Sequence, residues 1–185
     1  PWPPLLVPIA AGITTKQLDR WLGGGLPIVR AMPNTPALLG AGITGLFANE
    51  RTSETQRADA DALLAAVGPT VWIGDEAKMD AVTAVSGSGP AYVFLLAEAM
   101  QSAGIAQGLS PDAARALVQQ TLLGAATMLV KQNEPADVLR TRVTSPGGTT
   151  QAAIETFEAG GFRALVDRAI HAATERGRQL SAAND

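Results

Sequence analysis

The chain has 185 residues, of which 46% are hydrophobic and 17% are charged, and this balance excludes a disordered protein. Its formal net charge of −3 offers no basic surface of the kind that nucleic acids bind. Because the sequence has no cysteine, disulfides, thiolate nucleophiles and cysteine metal sites are excluded. Its apolar runs are too short for a membrane span and its first residues lack the basic region of a signal peptide. We therefore expect a soluble, cytoplasmic protein.

Strand and helix patterns alternate up to about residue 75. Apolar runs predict strands within residues 5–13, 26–32, 43–48 and 70–73. Strands that alternate with helices are typical of a parallel α/β sheet. Pro8 has no N–H to donate to a neighbouring strand, so the first strand either lies at an edge of the sheet or ends early.

Local signals mark where three helices begin. Thr14 or Thr15 is expected to cap a short helix, and Ser53 with Gln56 forms a capping box for a helix that reaches about residue 67. Further along the chain, Ser110–Asp112 combines a cap, a first-turn proline and an acid that suits the helix dipole. These signals are local and predict helix starts independently of the tertiary fold.

After Asp75 the pattern is helical only. Residues 78–104 are apolar on nearly every face, and only Ser86–Pro90 interrupts them. A helix that is apolar all round must be buried, which a chain of this size achieves most readily when another subunit covers the helix. The last predicted helix follows Gly160–Gly161 and carries one apolar stripe, formed by Phe162, Leu165, Val166, Ala169, Ile170 and Ala173.

The segment from Val143 to Thr150, with the sequence Val-Thr-Ser-Pro-Gly-Gly-Thr-Thr, enters a further helix through a loop of small residues. The first N–H groups of a helix have no partner within it, and the helix dipole is positive there, so this start suits a carboxylate. An alternative is that Ser145, Thr149 or Thr150 only caps the helix. Both interpretations are open from local chemistry.

Gly40–Gly45 matches the G-x-G-x-x-G pattern of dinucleotide-binding loops. That pattern should follow a strand and open a helix, whereas here prolines precede it and a strand follows. We therefore interpret it as a turn.

Three separate stretches, in matching order, resemble pyrroline-5-carboxylate reductases: Arg30–Pro36, Asp80–Phe94 and Val143–Glu158. The resemblance implies reduction of the cyclic imine 1-pyrroline-5-carboxylate to proline with NADPH or NADH, the last step of proline biosynthesis. It also implies an α/β part followed by an all-α part. Residues 1–75 would form the C-terminal part of a Rossmann-like parallel sheet domain, and residues 76–185 a helical domain for substrate binding and dimerisation. A homodimer is expected, with further assembly open.

The resemblance also assigns the substrate residues. Thr149 and Thr150, with the backbone around Ser145 and Gly148, would hold the substrate carboxylate and ring nitrogen, and Thr150 is the candidate catalytic residue. Glu76 matches a substrate-contacting glutamate; without the resemblance, an exposed acid at a helix start would be the simpler interpretation.

Cofactor contacts are implied in the first part of the chain. Ile9, Ala10 and Ala11 match a segment whose backbone lies along the cofactor, and Asn34 matches a loop that faces the nicotinamide. Ser86–Gly89 resembles a small-residue gap through which a helix approaches the substrate pocket, although a simple helix kink is the alternative. No metal is expected, and we expect His171 to be structural or solvated.

Members of the family begin with a strand, a glycine-rich turn and a helix that seat the cofactor pyrophosphate, and this sequence starts at about the fifth strand. We therefore expect the N-terminal part of the dinucleotide-binding domain to be lacking. Two hypotheses follow: a reductase that forms proline, or a truncated, catalytically silent helical module that dimerises and binds ligands.

Overall fold

The computed structural model describes residues 3–184, which form two compact units. The first unit holds the residues up to Pro90 and those from Asp167 onward, and the second holds Ala91–Val166. The domain boundary predicted between residues 75 and 76 therefore lies inside the first unit. That division of the sequence stays a prediction.

A small mixed sheet forms the centre of the first unit. Its strands lie in the order β1, β2, β3 and comprise Val29–Met32, Thr44–Ala48 and Thr70–Trp72. β1 and β2 are antiparallel, with Val29 opposite Ala48, whereas β2 and β3 are parallel, with Thr44 opposite Thr70. The parallel pairing expected from the alternation of strands and helices is therefore correct for the second pair and wrong for the first.

The connections between the strands explain this difference. Residues 33–43 join β1 to β2 and contain only a short 3-10 helix, Thr35–Leu39. A parallel pair needs a crossover of about a dozen residues or more, usually an α-helix, so β1 and β2 turn back on each other. The connection from β2 to β3 contains the helix α2, Glu54–Ala65, and the pair is parallel.

The first predicted strand is reduced to an isolated bridge beside β1, in which Leu6 pairs with Ile28 in parallel. The Leu6 N–H donates to the Pro27 carbonyl at 3.1 Å, and the Pro8 carbonyl accepts from the Ala31 N–H at 2.9 Å. Pro8 therefore joins the sheet only as an acceptor. This agrees with the prediction that proline would confine the strand to an edge or end it early.

The buried core of the first unit lies between the sheet and α2. It consists of Val29, Ala31, Leu46, Ala48 and Ala60, with Leu5, Val7, Leu64 and Trp72 packed against it. The two nearby helix starts are capped as the sequence predicts. Thr14 caps α1, Thr15–Trp21, and the box of Ser53 and Gln56 caps α2.

The rest of the described chain is helical, as predicted. A 3-10 turn, Glu76–Lys78, leads into α3, Met79–Val82, and a π-helical segment, Thr83–Gly87. The longer helices that follow are α4, Gly89–Ala106; α5, Pro111–Lys131; α6, Ala136–Arg142; α7, Thr149–Ala159; and α8, Phe162–Ala182. The π-helical segment lies where the sequence predicts a kink or a small-residue gap.

The apolar helix predicted at residues 78–104 corresponds largely to α4, and none of the residues of α4 is buried. Phe94 and Leu95 expose 62% and 66% of their surface. A single chain therefore does not supply the burial that this helix requires. Within residues 3–184, no helix combines the length and the apolar character needed to cross a membrane.

Candidate functional site

The start of α7 lies in the second unit, and two glycines precede the helix. Gly147 has a left-handed backbone with φ of 71°, and Gly148 is the N-cap residue. No side chain caps the helix at Gly148 within the described part of the chain. The N–H groups of the first turn are therefore left for another acceptor, and the capping role considered for Ser145, Thr149 or Thr150 is not observed.

The two threonines at this helix start have free hydroxyl groups. Thr149 is exposed and Thr150 is partly exposed, and among residues 3–184 neither hydroxyl makes a hydrogen bond. The unpartnered N–H groups and the positive end of the helix dipole favour an anion at the same place. The geometry can therefore bind a carboxylate and offers hydroxyl groups beside it.

Gln151 braces this loop, although the sequence analysis did not single it out. Its Oε1 accepts from the Gly147 N–H at 2.7 Å, and its Nε2 donates to Glu155 Oε1 at 2.6 Å. The available signal was its place as the third residue of the helix, where glutamine often reaches back to the N–H groups that precede the helix. The Gln151 side chain thus fixes the loop, and the first N–H groups of α7 stay without a side-chain cap.

The predicted cofactor segment lies in the first unit. Ile9, Ala10 and Ala11 are exposed and lead into Gly12, whose φ is 72°. The Gly12 carbonyl accepts from Asn184 Nδ2 at 3.1 Å, so the C-terminal end of the chain holds the turn. The segment is exposed, and its cofactor role stays a prediction.

Asn34 ties the loop after β1 to the π-helical segment. Its Oδ1 accepts from the Ile43 N–H at 3.0 Å, and its Nδ2 donates to the Ser86 carbonyl at 3.1 Å. Both ends of the side chain are therefore engaged within the first unit. Its proximity to a nicotinamide stays a prediction, whereas its role in holding the loop is observed.

Glu76 belongs to a partly buried cluster of polar groups. Its Oε1 accepts from the Thr15 N–H and its Oε2 from the Thr15 hydroxyl, each at 2.7 Å. Arg30 lies 3.4 Å from Glu76 Oε1 and 3.7 Å from Asp80 Oδ1, and only 3% of the Arg30 side chain is exposed. The interpretation of Glu76 as a freely exposed acid is therefore wrong. Its contact with substrate stays a prediction.

Sequence reasoning missed Thr15, Arg30 and Asp80 as members of this cluster. One signal was available, because Arg30 is the only charged residue in the apolar run 26–32. A charge inside a buried strand requires a partner of opposite sign. The identity of the partners, 46 and 50 positions away in sequence, has no local signal.

The G-x-G-x-x-G match is a turn that leads into β2, as predicted from its context. A Cβ added to Gly42 would lie 2.7 Å from Ala37 Cα, and one added to Gly45 would lie 2.5 Å from Val82 Cγ1. Close packing therefore accounts for these glycines, and the turn does not open a helix that could bind phosphate.

An apolar cavity of about 360 Å³ lies in the second unit at the C-terminal end of α7, away from Thr149 and Thr150. Phe157 and Phe162 line it, and Arg163 and Glu158 lie at its edge. The hydrogen bond from Arg163 holds the pKa of Glu158 below its ordinary value. The cavity contains none of the predicted site residues.

The described structure thus divides the predicted site residues between the two units. The first unit contains Ile9, Ala10, Ala11, Asn34 and Glu76, and the second contains Ser145, Gly148, Thr149 and Thr150. His171 is exposed, in agreement with a solvated role.

Comparison with known proteins decides the family. The family model described as pyrroline-5-carboxylate reductase dimerisation matches residues 76–180. A pyrroline-5-carboxylate reductase from Pseudomonas aeruginosa is 56% identical over 178 residues, which are 96% of this chain and 65% of that relative. The chain belongs to the pyrroline-5-carboxylate reductase family. A reductase of the same name from Haemophilus influenzae is 50% identical over 177 residues, again covering 65% of the relative.

Solved structures of the family agree with the fold. A pyrroline-5-carboxylate reductase from Coxiella burnetii matches with a TM-score of 0.92 at 45% identity, over 96% of this chain and 66% of that one. The Plasmodium falciparum enzyme, solved with NADP bound, matches with a TM-score of 0.87 at 34% identity, over 96% and 67%. The fold class predicted from the sequence, a partial Rossmann-like sheet part followed by a helical domain, is confirmed. The chain spans 65% of the length of the two relatives named above.

Proposed function

We propose that this chain binds 1-pyrroline-5-carboxylate and takes part in its reduction to L-proline, the last step of proline biosynthesis. The observation that carries the proposal is the start of α7, where Gly148 leaves the first N–H groups of the helix without a side-chain cap. A small ligand with one carboxylate suits this feature, since helix N-termini favour anions. Membership of the reductase family supports the choice of a cyclic imino acid.

Each proposed substrate contact has a defined role. The backbone around Ser145 and Gly148, with the N–H groups of Thr149 and Thr150, holds the carboxylate. The Thr150 hydroxyl hydrogen-bonds the ring nitrogen and orients the imine carbon. Thr150 can take this role because its hydroxyl makes no hydrogen bond among the described residues. Glu76 is a further substrate contact, through its negative charge.

The reaction depends on the orientation of the substrate ring more than on proton transfer by side chains. NADPH or NADH supplies the hydride when bound. Addition of that hydride to the carbon of an imine protonated on nitrogen would form the new C–H bond, and the π electrons of the C=N bond would become the lone pair of the ring nitrogen beside Thr150. The chain therefore acts by holding the ring in place and by keeping its nitrogen protonated.

Some of the residues present could form part of a cofactor site. The exposed segment of Ile9, Ala10 and Ala11 can lie with its backbone along the cofactor, and Asn34 holds the loop after β1. The glycine-rich turn at Gly40–Gly45 does not provide a pyrophosphate site.

The proposed assembly is a homodimer in the cytoplasm. α4 exposes large apolar side chains along its length, and the family model that covers it describes dimerisation. Such a surface is typical of an interface with a second copy. Assembly beyond the dimer is open.

The proposal is tested by the oxidation of NADPH in the presence of 1-pyrroline-5-carboxylate. Thr150→Ala should lower kcat/KM about tenfold or more, because one hydrogen bond to a charged group is lost. Thr156→Ala is the matched control on the same helix, since its hydroxyl bonds only the Ala152 carbonyl. It should leave kcat/KM within about twofold of wild type.

The outcomes separate the two hypotheses for the chain. Turnover by the wild-type chain, with a loss of kcat/KM in Thr150→Ala and none in Thr156→Ala, supports the hypothesis of a reductase. Proline binding without any turnover would favour the hypothesis of a catalytically silent ligand-binding module. Equal effects of both substitutions would contradict the role given to Thr150.

A further inference from the structure

A cleft of about 870 Å³ lies in the first unit, at the end of β2. Phe47, Ala48 and Asn49 line it from the strand and the turn that follows, and Lys16 and Asp19 line it from α1. Its volume lies within the range of small-molecule sites, about 300–1,000 Å³. The predicted substrate and cofactor residues are not among those that line it.

The cleft and the loop of Asn34 belong to opposite ends of β2. Met32, at the end of β1 that leads to Asn34, lies opposite Gly45 near the start of β2. Ala48 lines the cleft from the other end of β2, and Gly74 lines it just beyond β3, which runs parallel to β2. A ligand in the cleft is therefore distinct from the nicotinamide that the loop of Asn34 is predicted to face.

Asn49 anchors the turn that forms one wall of the cleft. Its Oδ1 accepts from the Ile28 N–H at 3.1 Å, and its Nδ2 donates to the Leu26 carbonyl at 2.9 Å. The Thr52 N–H donates to the Asn49 carbonyl at 3.1 Å, which closes the turn that carries Arg51. The wall is therefore formed in the absence of a ligand.

Cationic side chains from three separate elements border the cleft: Lys16 on α1, Arg51 on the turn and Arg57 on α2. Among residues 3–184, Lys16 and Arg51 make no hydrogen bond and no ion pair. Arg57 lies over the Trp72 ring, 5.1 Å from its centroid, and its Nε is 3.8 Å from a Glu54 carboxylate that is 94% exposed. So exposed a pair contributes little, and all three cations keep their capacity for a phosphate group.

Two carboxylates, those of Asp19 and Glu50, border the same cleft. Glu50 has no partner within the described chain, and Asp19 uses Oδ1 to accept from the Leu26 N–H at 3.0 Å. Carboxylates only accept hydrogen bonds and repel phosphate, so a bare anion suits only part of this lining. A ligand with hydroxyl groups beside its phosphate suits both parts, because hydroxyls donate to carboxylates as ribose does in dinucleotide sites.

We propose that the cleft at the end of β2 binds a sugar phosphate group. The phosphate lies at Lys16, Arg51 and Arg57, and the sugar hydroxyls donate to Asp19 and Glu50. The group belongs either to a free sugar phosphate or to a nucleotide, which share this chemistry. The cleft site does not depend on the proposed function, because it uses none of the proposed substrate residues.

Calorimetric titration of the 185-residue chain with ribose 5-phosphate, and with inorganic phosphate at the same ionic strength, tests this site. The wild-type chain should bind ribose 5-phosphate at least about fivefold more tightly than phosphate, because the hydroxyl groups add hydrogen bonds. Arg51→Gln should weaken ribose 5-phosphate binding about threefold to tenfold, since one charged contact is lost. Arg51 is exposed and has no partner among the described residues, so the fold does not depend on its side chain.

Arg168→Gln is the matched control, because Arg168 is an exposed arginine of the same unit that does not line the cleft. Binding of ribose 5-phosphate that Arg51→Gln weakens and Arg168→Gln leaves unchanged supports the site. No saturable binding, equal affinity for inorganic phosphate, or an equal loss in both variants overturns it. Proline binding, measured on the same samples, tests the proposed function separately and should not change in Arg51→Gln.

A titration with AMP, which adds a base to the same sugar phosphate, distinguishes the two sources. Tighter binding of AMP than of ribose 5-phosphate, again weakened by Arg51→Gln, supports the site as one for nucleotides. Equal or weaker binding of AMP supports it as one for free sugar phosphates. AMP binding that Arg51→Gln does not change lies elsewhere on the chain and contradicts the nucleotide form of the proposal.

Discussion

Gly177 lies inside α8 at a place where any side chain would meet the buried cluster. A Cβ added there would lie 3.2 Å from Asp80 Cβ and 3.2 Å from Asp80 Oδ1. Asp80 is held by Arg30 and has little freedom to move. The glycine is therefore a packing residue, although helix propensity alone would favour alanine by about 1 kcal/mol.

Gly177→Ala should accordingly lower the free energy of unfolding by about 1 kcal/mol, because overpacking outweighs the gain in helix propensity. The measurement is thermal or urea unfolding followed by circular dichroism. Ala172→Gly, at an exposed position of the same helix, calibrates propensity and should also destabilise by about 1 kcal/mol. An increase in stability for Gly177→Ala would show that Asp80 yields and that the contact is loose.

At the scale of the elements, α4 is an apolar helix with no buried residue in a single chain. Leu95→Glu places a charge at a side chain that is 66% exposed in one chain. If a second copy covers α4, this substitution should convert a dimer to a monomer in sedimentation equilibrium, since a buried unpaired charge is costly. An unchanged mass would contradict the proposed interface.

The matched control is Leu63→Glu on α2, where the leucine is 65% exposed. The two substitutions make the same chemical change at nearly equal exposure, so only the location differs. Leu63→Glu should leave the dimer intact. Loss of the dimer in both forms would indicate a general effect of added charge.

The elements that the sequence could predict are those specified by neighbouring residues. The capping box of Ser53 with Gln56 and the Ser110 cap form as expected, because each bond joins residues three positions apart. The antiparallel pairing of β1 with β2 depends on how residues 33–43 cross the sheet. Pro33 and Pro36 argued against a crossover helix there, and that signal was available in the sequence.

The candidate site likewise has a part that the sequence could predict and a part that it could not. The start of α7 could be predicted from Ser145 to Thr150, because the glycines and the following helix are contiguous. The Arg30 cluster could not, because its members come from three separate stretches of the chain, at Thr15, at Arg30 and at Glu76 with Asp80, and meet only after folding. Local chemistry indicates where an anion can bind, whereas the orientation of Glu76 is a tertiary property.

At the scale of the whole molecule, the proposed substrate recognition belongs to a chain that spans 65% of the length of its named relatives. The proposed contacts with substrate and cofactor are different residues, Thr149 and Thr150 for the substrate and Ile9 to Ala11 for the cofactor. The two activities can therefore be measured separately on the same chain.

The most direct test is a calorimetric titration of the purified wild-type chain with proline, the product whose carboxylate should sit at the start of α7. We expect saturable binding with one site per chain, which free acetate at the same ionic strength should not reproduce. A titration without saturable heat across the millimolar range would contradict the proposed function, because the uncapped helix start would then not form the substrate site.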